Sequence, residues 1–186
     1  MRALVAGGAG FIGSHLCEFL LERGFAVACV DSLVTGRRSN IRHMLRRPGF
    51  SFIKRDITRL GTIRGPIDVV FDLASPASPR DYLALPLLTL ETGAAGTRNL
   101  LELCRRRKAV FVFASTSEVY GDPDRHPQRE DYWGNVNPVG VRSVYDEAKR
   151  YSEALTMAYH RAFGLPTRIA RIFNTYGPRM KLDDGR

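Results

Sequence analysis

Short apolar runs alternate along this chain with longer segments in which apolar residues recur every three or four positions. The short runs have the length and composition of buried strands, and they lie at 3–6, 26–30, 50–53, 69–73, 109–114 and 167–172. Helical periodicity marks 11–23, 86–107 and 143–163, and more weakly 39–46. Because strands that alternate with helices build βαβ units, the pattern predicts an α/β fold with a doubly wound, mostly parallel sheet, the Rossmann fold.

The first predicted strand runs directly into a glycine-rich stretch, GGAGFIG, and a helix follows. Glycines also make ordinary turns, but a strand before, a helix after and an acid ending the next strand together form the dinucleotide-binding fingerprint. Gly7 would allow the tight turn, Gly10 the close approach of a pyrophosphate, and Gly13 the contact between helix and strand. The helix that begins near Phe11 would direct its N–H groups and positive dipole end at the phosphates.

The acid of the fingerprint is Asp31, the last residue of VACVD. Its carboxylate would accept hydrogen bonds from the adenosine ribose hydroxyls and would repel a 2′-phosphate, which favours NAD over NADP. Arg37 and Arg38 follow the same strand, and basic residues at that place can instead hold a 2′-phosphate.

The fifth predicted strand ends in a polar stretch, Ser115-Thr116-Ser117-Glu118. Ligands of doubly wound sheets bind at the carboxyl ends of the strands, so Ser117 and Glu118 are expected at the site. Tyr145 and Lys149 follow at i and i+4 of a predicted helix and so share one of its faces. A cation beside the phenol favours the phenolate and lowers the pKa of the tyrosine, which makes it a general base. Each feature has an ordinary alternative: the polar stretch could be a helix cap or turn, and the Tyr145–Lys149 pair could be a surface pair. Beside the glycine fingerprint they predict a catalytic site of Tyr145, Lys149, Ser117 and Glu118.

The chain carries a formal charge of +9, with a sequence pI near 9.9. The basic residues are scattered and are not interleaved with aromatic residues, which favours an Arg-rich surface and small anionic ligands over nucleic-acid binding. Cys17, Cys29 and Cys104 are odd in number and have no metal-ligand spacing, so we expect reduced core thiols and no metal. Since the chain opens on a strand without a signal peptide or membrane anchor, we expect a cytoplasmic protein of one domain, residues 1–186.

The motifs also carry a family resemblance. The GGAGFIG spacing resembles the extended short-chain dehydrogenase/reductase family. Within it, five longer stretches resemble the UDP-glucuronate decarboxylases, and the likeness runs from residue 4 to residue 186. These stretches are LASPASP (73–79), STSEVYGDP (115–123), HPQREDYWGNVNP (126–138), YDEAKR (145–150) and RIFNTYGPRM (171–180).

The resemblance implies an NAD-dependent decarboxylation of UDP-glucuronate to UDP-xylose through a 4-keto intermediate. Tyr145 would be the base at the C4 hydroxyl, and Lys149 would favour its ionised form and hold the nicotinamide ribose. Ser117 and Glu118 would position the sugar ring and assist proton movement. The same resemblance implies a set of cofactor-binding residues: Gly7, Gly10, Phe11, Ile12, Gly13, Asp31, Ser32, Thr35, Gly36, Asp56, Ile57, Leu73, Ser75, Thr92, Tyr145, Lys149 and Thr175.

Substrate-binding residues are implied at Ser117, Tyr145, Asn174 and Arg179, with Arg186 as a further anion-binding candidate. Asp56, which the resemblance places near the adenine with Ile57, also fits a helix N-cap. The family pattern is broken at two places that face the expected site. Asp72 stands where a histidine is usual, and Glu91-Thr92-Gly93 replaces Lys-Thr-Asn.

The resemblance further implies a homodimer, formed through helices 86–107 and 143–163. The family continues beyond the position of Arg186, so we expect the C-terminal substrate-binding portion to be missing from this chain. The alternatives that stay open are a nucleotide-sugar 4,6-dehydratase or epimerase, and an NAD-binding fragment without catalytic activity.

Overall fold

A computed structural model describes residues 1–182 and contains one six-stranded sheet in which every neighbouring pair of strands is parallel. The strands are β1 Arg2–Ala6, β2 Ala26–Asp31, β3 Phe50–Lys54, β4 Val69–Asp72, β5 Val110–Thr116 and β6 Thr167–Ile172. Their order across the sheet is β3-β2-β1-β4-β5-β6. This is the doubly wound order, and it confirms the predicted fold class.

Within residues 1–182, five α-helices and several shorter turns accompany the strands. The helices are α1 Phe11–Glu22, α2 Pro79–Ala84, α3 Pro86–Glu91, α4 Thr97–Arg107 and α5 Ser143–Phe163. Three 3₁₀ segments lie at Arg38–Met44, Ile57–Arg59 and Ser117–Tyr120. The long helix predicted over 86–107 is interrupted by a π-helical turn, Thr92–Gly96, between α3 and α4.

Helix α2 was not predicted, although its sequence carries a start signal. Ser78 accepts a hydrogen bond from the Asp81 N–H at 3.1 Å, and Pro79 occupies the first helical position. Both are typical of a helix N-terminus. The helix is only six residues long, so its apolar periodicity is too short to be seen in the sequence.

The sheet buries an apolar layer on each face, because successive strand residues point to opposite sides. On one face Leu4, Val70 and Phe111 pack with residues of α4 such as Leu100 and Leu101. On the other face Val5, Val27 and Cys29 pack with α1 and the Arg38–Met44 segment. All three cysteines are buried free thiols, and within residues 1–182 no helix is both long and apolar enough to cross a bilayer.

The reversal of strand order positions the site. Strand β1 pairs with β2 on one side and β4 on the other, and the chain winds away from it in both directions. A crevice therefore opens beyond the carboxyl ends of β1 and β4, where ligands of such sheets bind. Strand β5 reaches this edge two residues farther than predicted, because Ser115 and Thr116 continue the pairing with β6.

Candidate cofactor and catalytic site

The glycine-rich loop after β1 is shaped by steric constraints that only glycine satisfies. Gly7 has a φ of +74°, and a Cβ there would lie 2.6 Å from the Leu73 carbonyl oxygen. A Cβ at Gly13 would overlap the Gly7 carbonyl oxygen. The absence of both side chains lets α1 pack closely on the end of β1. The loop, α1 and the chain after β4 therefore approach more closely than residues with a Cβ would allow, as a dinucleotide fingerprint requires.

Helix α1 presents its N-terminus to a cavity of about 390 Å³. Its N-cap is Gly10, no side chain caps it, and its first turn carries no acidic residue. Phe11, Ile12 and Gly13 line the cavity wall. The exposed N–H groups and the positive dipole end are suited to an anion such as a pyrophosphate.

Asp31 is placed beside the loop at the end of β2. Its Oδ2 accepts a hydrogen bond from the Ala9 N–H at 2.9 Å, and its Oδ1 accepts one from the Leu33 N–H at 2.8 Å. Burial raises the pKa of this carboxyl, and the two N–H groups oppose that shift. Each oxygen keeps a second lone pair with which to accept a ribose hydroxyl.

A smaller cavity of about 80 Å³ joins Asp31 to the rest of the predicted adenosine site. Asp56 and Ile57 line it, and Thr92 of the π-helical turn lies on the same wall. The side chain of Asp56 accepts a hydrogen bond from the Thr58 N–H at 2.8 Å and so caps the Ile57–Arg59 turn. Asp56 is therefore a helix N-cap, the alternative to a role at the adenine, and it also lines the cavity where that role was expected.

The cofactor residues predicted from the sequence all line these two cavities. The larger one is lined by Gly7, Gly10, Phe11, Ile12, Gly13, Thr35, Leu73, Ser75, Tyr145, Lys149 and Thr175. The smaller one adds Asp31, Ser32, Gly36, Asp56, Ile57 and Thr92. The residues present therefore fit a dinucleotide whose pyrophosphate lies at the α1 N-terminus.

Tyr145 and Lys149 lie on the first turns of α5 and face the larger cavity. The Lys149 Nζ donates a hydrogen bond to the Ala114 carbonyl oxygen at 2.8 Å and lies 5.9 Å from the centre of the Tyr145 ring. Burial lowers the pKa of Lys149 to about 8, while the charges of Asp72 and Glu153 oppose that shift. The amine is thus mostly charged at neutral pH, beside the phenol.

Ser115, Thr116 and Glu118 at the polar end of β5 all line the larger cavity, and Ser115 has a structural role as well. Ser115 donates a hydrogen bond to Glu153 Oε1 at 2.6 Å, and Glu153 is ion-paired with Arg171, so its hydroxyl ties the strand to α5. Thr116 and Glu118 line the cavity, and the Thr116 Oγ1 accepts a hydrogen bond from the Glu118 N–H.

Ser117 was predicted to face the crevice, but it is not among the residues that line the larger cavity. It begins the 3₁₀ turn Ser117–Tyr120, where side chains no longer alternate between the two faces of the sheet. Its neighbour Thr116 supplies the hydroxyl that lines the wall, a residue that the sequence reasoning did not single out.

Two further side chains at this wall were missed. Arg142 forms an ion pair with Glu118. It is the N-cap residue of α5 and precedes Tyr145 by three residues, about one helical turn. Tyr82 of α2 stacks on Tyr145, with ring centres 4.9 Å apart and planes inclined by 8°. Neither residue belongs to a sequence motif: Arg142 contacts Glu118, which lies 24 residues away along the chain, and Tyr82 lies on a helix that was not predicted.

The predicted substrate residues after β6 lie at the cavity with different partners. Asn174 and Thr175 line it directly. Arg179 also lines it, but its Nη2 is ion-paired with Glu18 of α1, which lowers the pKa of that carboxyl. Arg186 lies outside the described residues. Among residues 1–182, no cluster of histidine, cysteine or acidic side chains is placed to hold a metal ion.

Comparison with known proteins agrees with this geometry. The chain is 53% identical to UDP-glucuronic acid decarboxylase 2 of Arabidopsis thaliana over 186 residues, which is all of this chain and 41% of the relative. The chain thus spans less than half the length of that relative.

Solved structures of related enzymes share the fold. UDP-glucuronic acid 4-epimerase of Bacillus cereus, solved with NAD, superposes with a TM-score of 0.82 at 34% identity, over 98% of this chain and 60% of the epimerase. DesIV, a dTDP-glucose 4,6-dehydratase of Streptomyces venezuelae solved with NAD and TYD, gives a TM-score of 0.86 at 34% identity, over 97% of this chain and 58% of the dehydratase.

These similarities confirm the resemblance derived from the motifs. The family model described as the NAD dependent epimerase/dehydratase family matches residues 3–186, nearly the whole chain. The chain belongs to the NAD dependent epimerase/dehydratase family.

Proposed function

We propose that this chain is the NAD-binding and catalytic portion of a UDP-glucuronate decarboxylase, which converts UDP-glucuronate to UDP-xylose. The observation that carries the proposal is the continuity of the dinucleotide cradle with the wall formed by Tyr145, Lys149 and Glu118. The identity of 53% to an Arabidopsis protein of that name supports the choice of substrate.

NAD, when bound, would accept and return a hydride at the sugar C4. In this proposal the Gly7–Gly13 loop and the α1 N-terminus hold its pyrophosphate, and Asp31 holds the adenosine ribose. NAD is preferred over NADP because the buried carboxylate of Asp31 repels a 2′-phosphate.

The chain's own residues would move the protons. Tyr145 removes the proton of the C4 hydroxyl as that carbon is oxidised, and the charged Lys149 stabilises the phenolate. The 4-keto sugar acid is a β-keto acid, so the C5–C6 bond breaks and its electrons pass to the C4 carbonyl as an enolate, releasing carbon dioxide. A proton is then added to C5 of the enolate, and Tyr145 returns its proton to the C4 oxygen as the hydride returns to C4, which restores the C4 hydroxyl.

Glu118 would serve proton movement near C5, together with the hydroxyl of Thr116, which lines the same cavity. In the structure its carboxylate is paired with Arg142, whose guanidinium lies at the same wall. Since the substrate carries a sugar carboxylate and a diphosphate, a cation at this wall suits it electrostatically.

The proposal is tested by incubating the chain with NAD and UDP-glucuronate and measuring carbon dioxide and UDP-xylose. We expect Tyr145→Phe to reduce the rate by about 10²- to 10⁴-fold, the usual contribution of a positioned general base. Tyr151→Phe is the matched control, because Tyr151 lies on the same helix and is 49% exposed; it should leave the rate unchanged. Full activity in Tyr145→Phe would contradict the mechanism.

The test also separates the alternatives. A C4-epimeric product from UDP-glucuronate would indicate an epimerase. A 4-keto-6-deoxy product from a parallel incubation with UDP-glucose, which carries the C6 hydroxyl that a dehydratase removes, would indicate a dehydratase. These are the activities named for the two solved structures. Binding of NAD without any product would indicate a cofactor-binding portion that requires the remaining part of its relatives. The homodimer implied by the family resemblance stays a prediction, as does the treatment of residues 1–186 as one domain.

A further inference from the structure

A second carboxylate lies beneath the catalytic wall, at the end of β4. Asp72 is 1% exposed and stands opposite Phe113 of β5 in the sheet register. Its Oδ2 accepts a hydrogen bond from the Thr97 hydroxyl at 3.0 Å, and its Oδ1 accepts one from the Ala74 N–H at 3.2 Å. Both donors are neutral, and burying a carboxylate is costly unless a positive charge lies nearby.

Lys149 supplies that charge. Its Nζ is bonded to the carbonyl oxygen of Ala114, the residue after Phe113, and lies 4.9 Å from the centre of the Phe113 ring. Asp72 is the register partner of Phe113, and the ammonium lies against the Phe113 ring and is bonded to the next residue, so the two charged residues are placed at the same point along β5. Burial raises the pKa of Asp72, and the charge of Lys149 is the largest effect that opposes this shift.

A chain of hydroxyls also links Asp72 to the helix that carries Lys149. The Thr97 Oγ1 is 3.3 Å from the Ser152 Oγ, and Ser152 donates to the Ala148 carbonyl oxygen at 2.8 Å. Ser152 lies one turn after Lys149, so two side-chain hydroxyls, those of Thr97 and Ser152, link the carboxylate to that turn of α5. The network fixes how far α5 stands from the end of β4.

The other ionisable groups near the pair are already accounted for. Glu153 of α5 also favours the charged form of Lys149, but it is ion-paired with Arg171 and accepts the Ser115 hydroxyl. On the α4 side Asp72 faces the thiol of Cys104, whose pKa is raised by burial and by the Asp72 charge, so that it stays neutral. Asp72 is thus the negative charge that Lys149 faces from β4.

We propose that Asp72 is a positioning residue for the Tyr145–Lys149 pair: its buried carboxylate keeps Lys149 charged and holds the start of α5 against the ends of β4 and β5. The assignment of this pair to catalysis rests on the proposed function, whereas the coupling of the two charges does not. Asp72 acts through Lys149 and does not contact the substrate.

The composition of the chain makes the coupling directly measurable. Only four lysines occur, at positions 54, 108, 149 and 181, so lysine labelled with ¹³C at Cε gives four NMR signals, and Lys149→Met identifies one of them. We expect the Lys149 signal to titrate near pH 8 in the wild-type chain. Asp72→Asn keeps an acceptor for the Ala74 N–H and places an amide donor beside the Thr97 hydroxyl oxygen. In this variant the acid dissociation constant of Lys149 should rise about tenfold or more. An unchanged titration, or a shift to higher pH, would overturn the proposal.

Two further measurements separate electrostatics from folding and from catalysis. Coupling is reciprocal, so in Lys149→Met the Asp72 carboxyl, followed by its ¹³Cγ signal, should titrate at a higher pH than in the wild type. An unchanged Asp72 titration would overturn the proposal even if Asp72→Asn did not fold. Glu153→Gln is the control, and it should move the Lys149 titration less than Asp72→Asn. None of these measurements needs turnover, so a chain without decarboxylase activity would contradict the proposed function and leave this test intact.

Discussion

Asp146 carries a buried carboxyl next in sequence to Tyr145, and its Oδ1 has no hydrogen-bond partner among the residues that the structure describes. Burial raises its pKa from 3.8 to about 6; the nearby Arg142 opposes this shift and Glu118 adds to it. The folded chain therefore binds a proton here that the unfolded chain has released between about pH 4 and pH 6. Across that window this group makes the folded state less stable as the pH rises.

We predict that Asp146→Asn removes this pH dependence. Relative to pH 4, the wild-type chain should lose on the order of 2 kcal/mol at pH 7 through this group. The variant should show a smaller loss over the same range. Urea denaturation at half-unit pH steps measures the free energy of unfolding of both chains. Parallel pH profiles for the two would contradict the assignment of the raised pKa to Asp146.

Single residues of the site differ in how far sequence could predict them. Gly7, Asp31 and Tyr145 were found because each belongs to a motif with fixed local spacing. Arg142 and Tyr82 have no motif, and their importance arises from contacts with Glu118 and Tyr145. Such contacts depend on side-chain packing between elements, which local patterns do not encode.

At the scale of elements, the π-helical turn Thr92–Gly96 packs directly on α5. A Cβ placed on Gly93 would lie 2.9 Å from the Ala148 carbonyl oxygen and 3.0 Å from the Ala148 Cβ. Ser152 of α5 also donates a hydrogen bond to the Gly93 carbonyl oxygen at 2.9 Å. The glycine at this departure from the family pattern therefore sets the distance between the two helical segments.

We predict that Gly93→Ala destabilises the chain by about 1–3 kcal/mol, the usual cost of overpacking. In an exposed helix the same change would stabilise the chain by about 0.5–1 kcal/mol. A measured destabilisation would therefore indicate the close contact between Gly93 and Ala148. Glu91→Ala, at an exposed position of the same segment, is the control and should change the free energy of unfolding by less than about 0.5 kcal/mol. Urea denaturation of the three chains measures this, and a stabilised Gly93→Ala would show that α5 does not pack this closely.

Elements followed from sequence where local pattern and tertiary structure agree. The helices at 11–23 and 143–163 and all six strands were placed within about two residues, because their apolar periodicity matches the faces that they bury. Strand β5 extends past its apolar run because β6 continues to pair with Ser115 and Thr116. The π-helical turn and α2 arise from packing and capping at the site, which periodicity does not report.

At the scale of the whole molecule, the cofactor site joins the two halves of the sheet. The glycine loop and Asp31 come from the half that contains β1 to β3, and Lys149 comes from the half that contains β4 to β6. A ligand that contacts both halves stabilises the folded state as a unit. The formal charge of +9 adds a positive field that favours an anionic ligand such as a dinucleotide.

We therefore predict that NAD raises the stability of the entire chain. At a free concentration 100 times its Kd, a ligand that binds only the folded state adds about 2.7 kcal/mol to the free energy of unfolding. The urea midpoint should rise accordingly, with far-UV and tryptophan signals moving together if unfolding is cooperative. NADP at the same concentration is the matched comparison, and it should give a smaller shift because Asp31 repels its 2′-phosphate. A urea midpoint that NAD leaves unchanged would argue against cofactor binding by this chain. A larger shift with NADP would indicate that Arg37 and Arg38 hold the 2′-phosphate and set the cofactor preference, and that Asp31 does not.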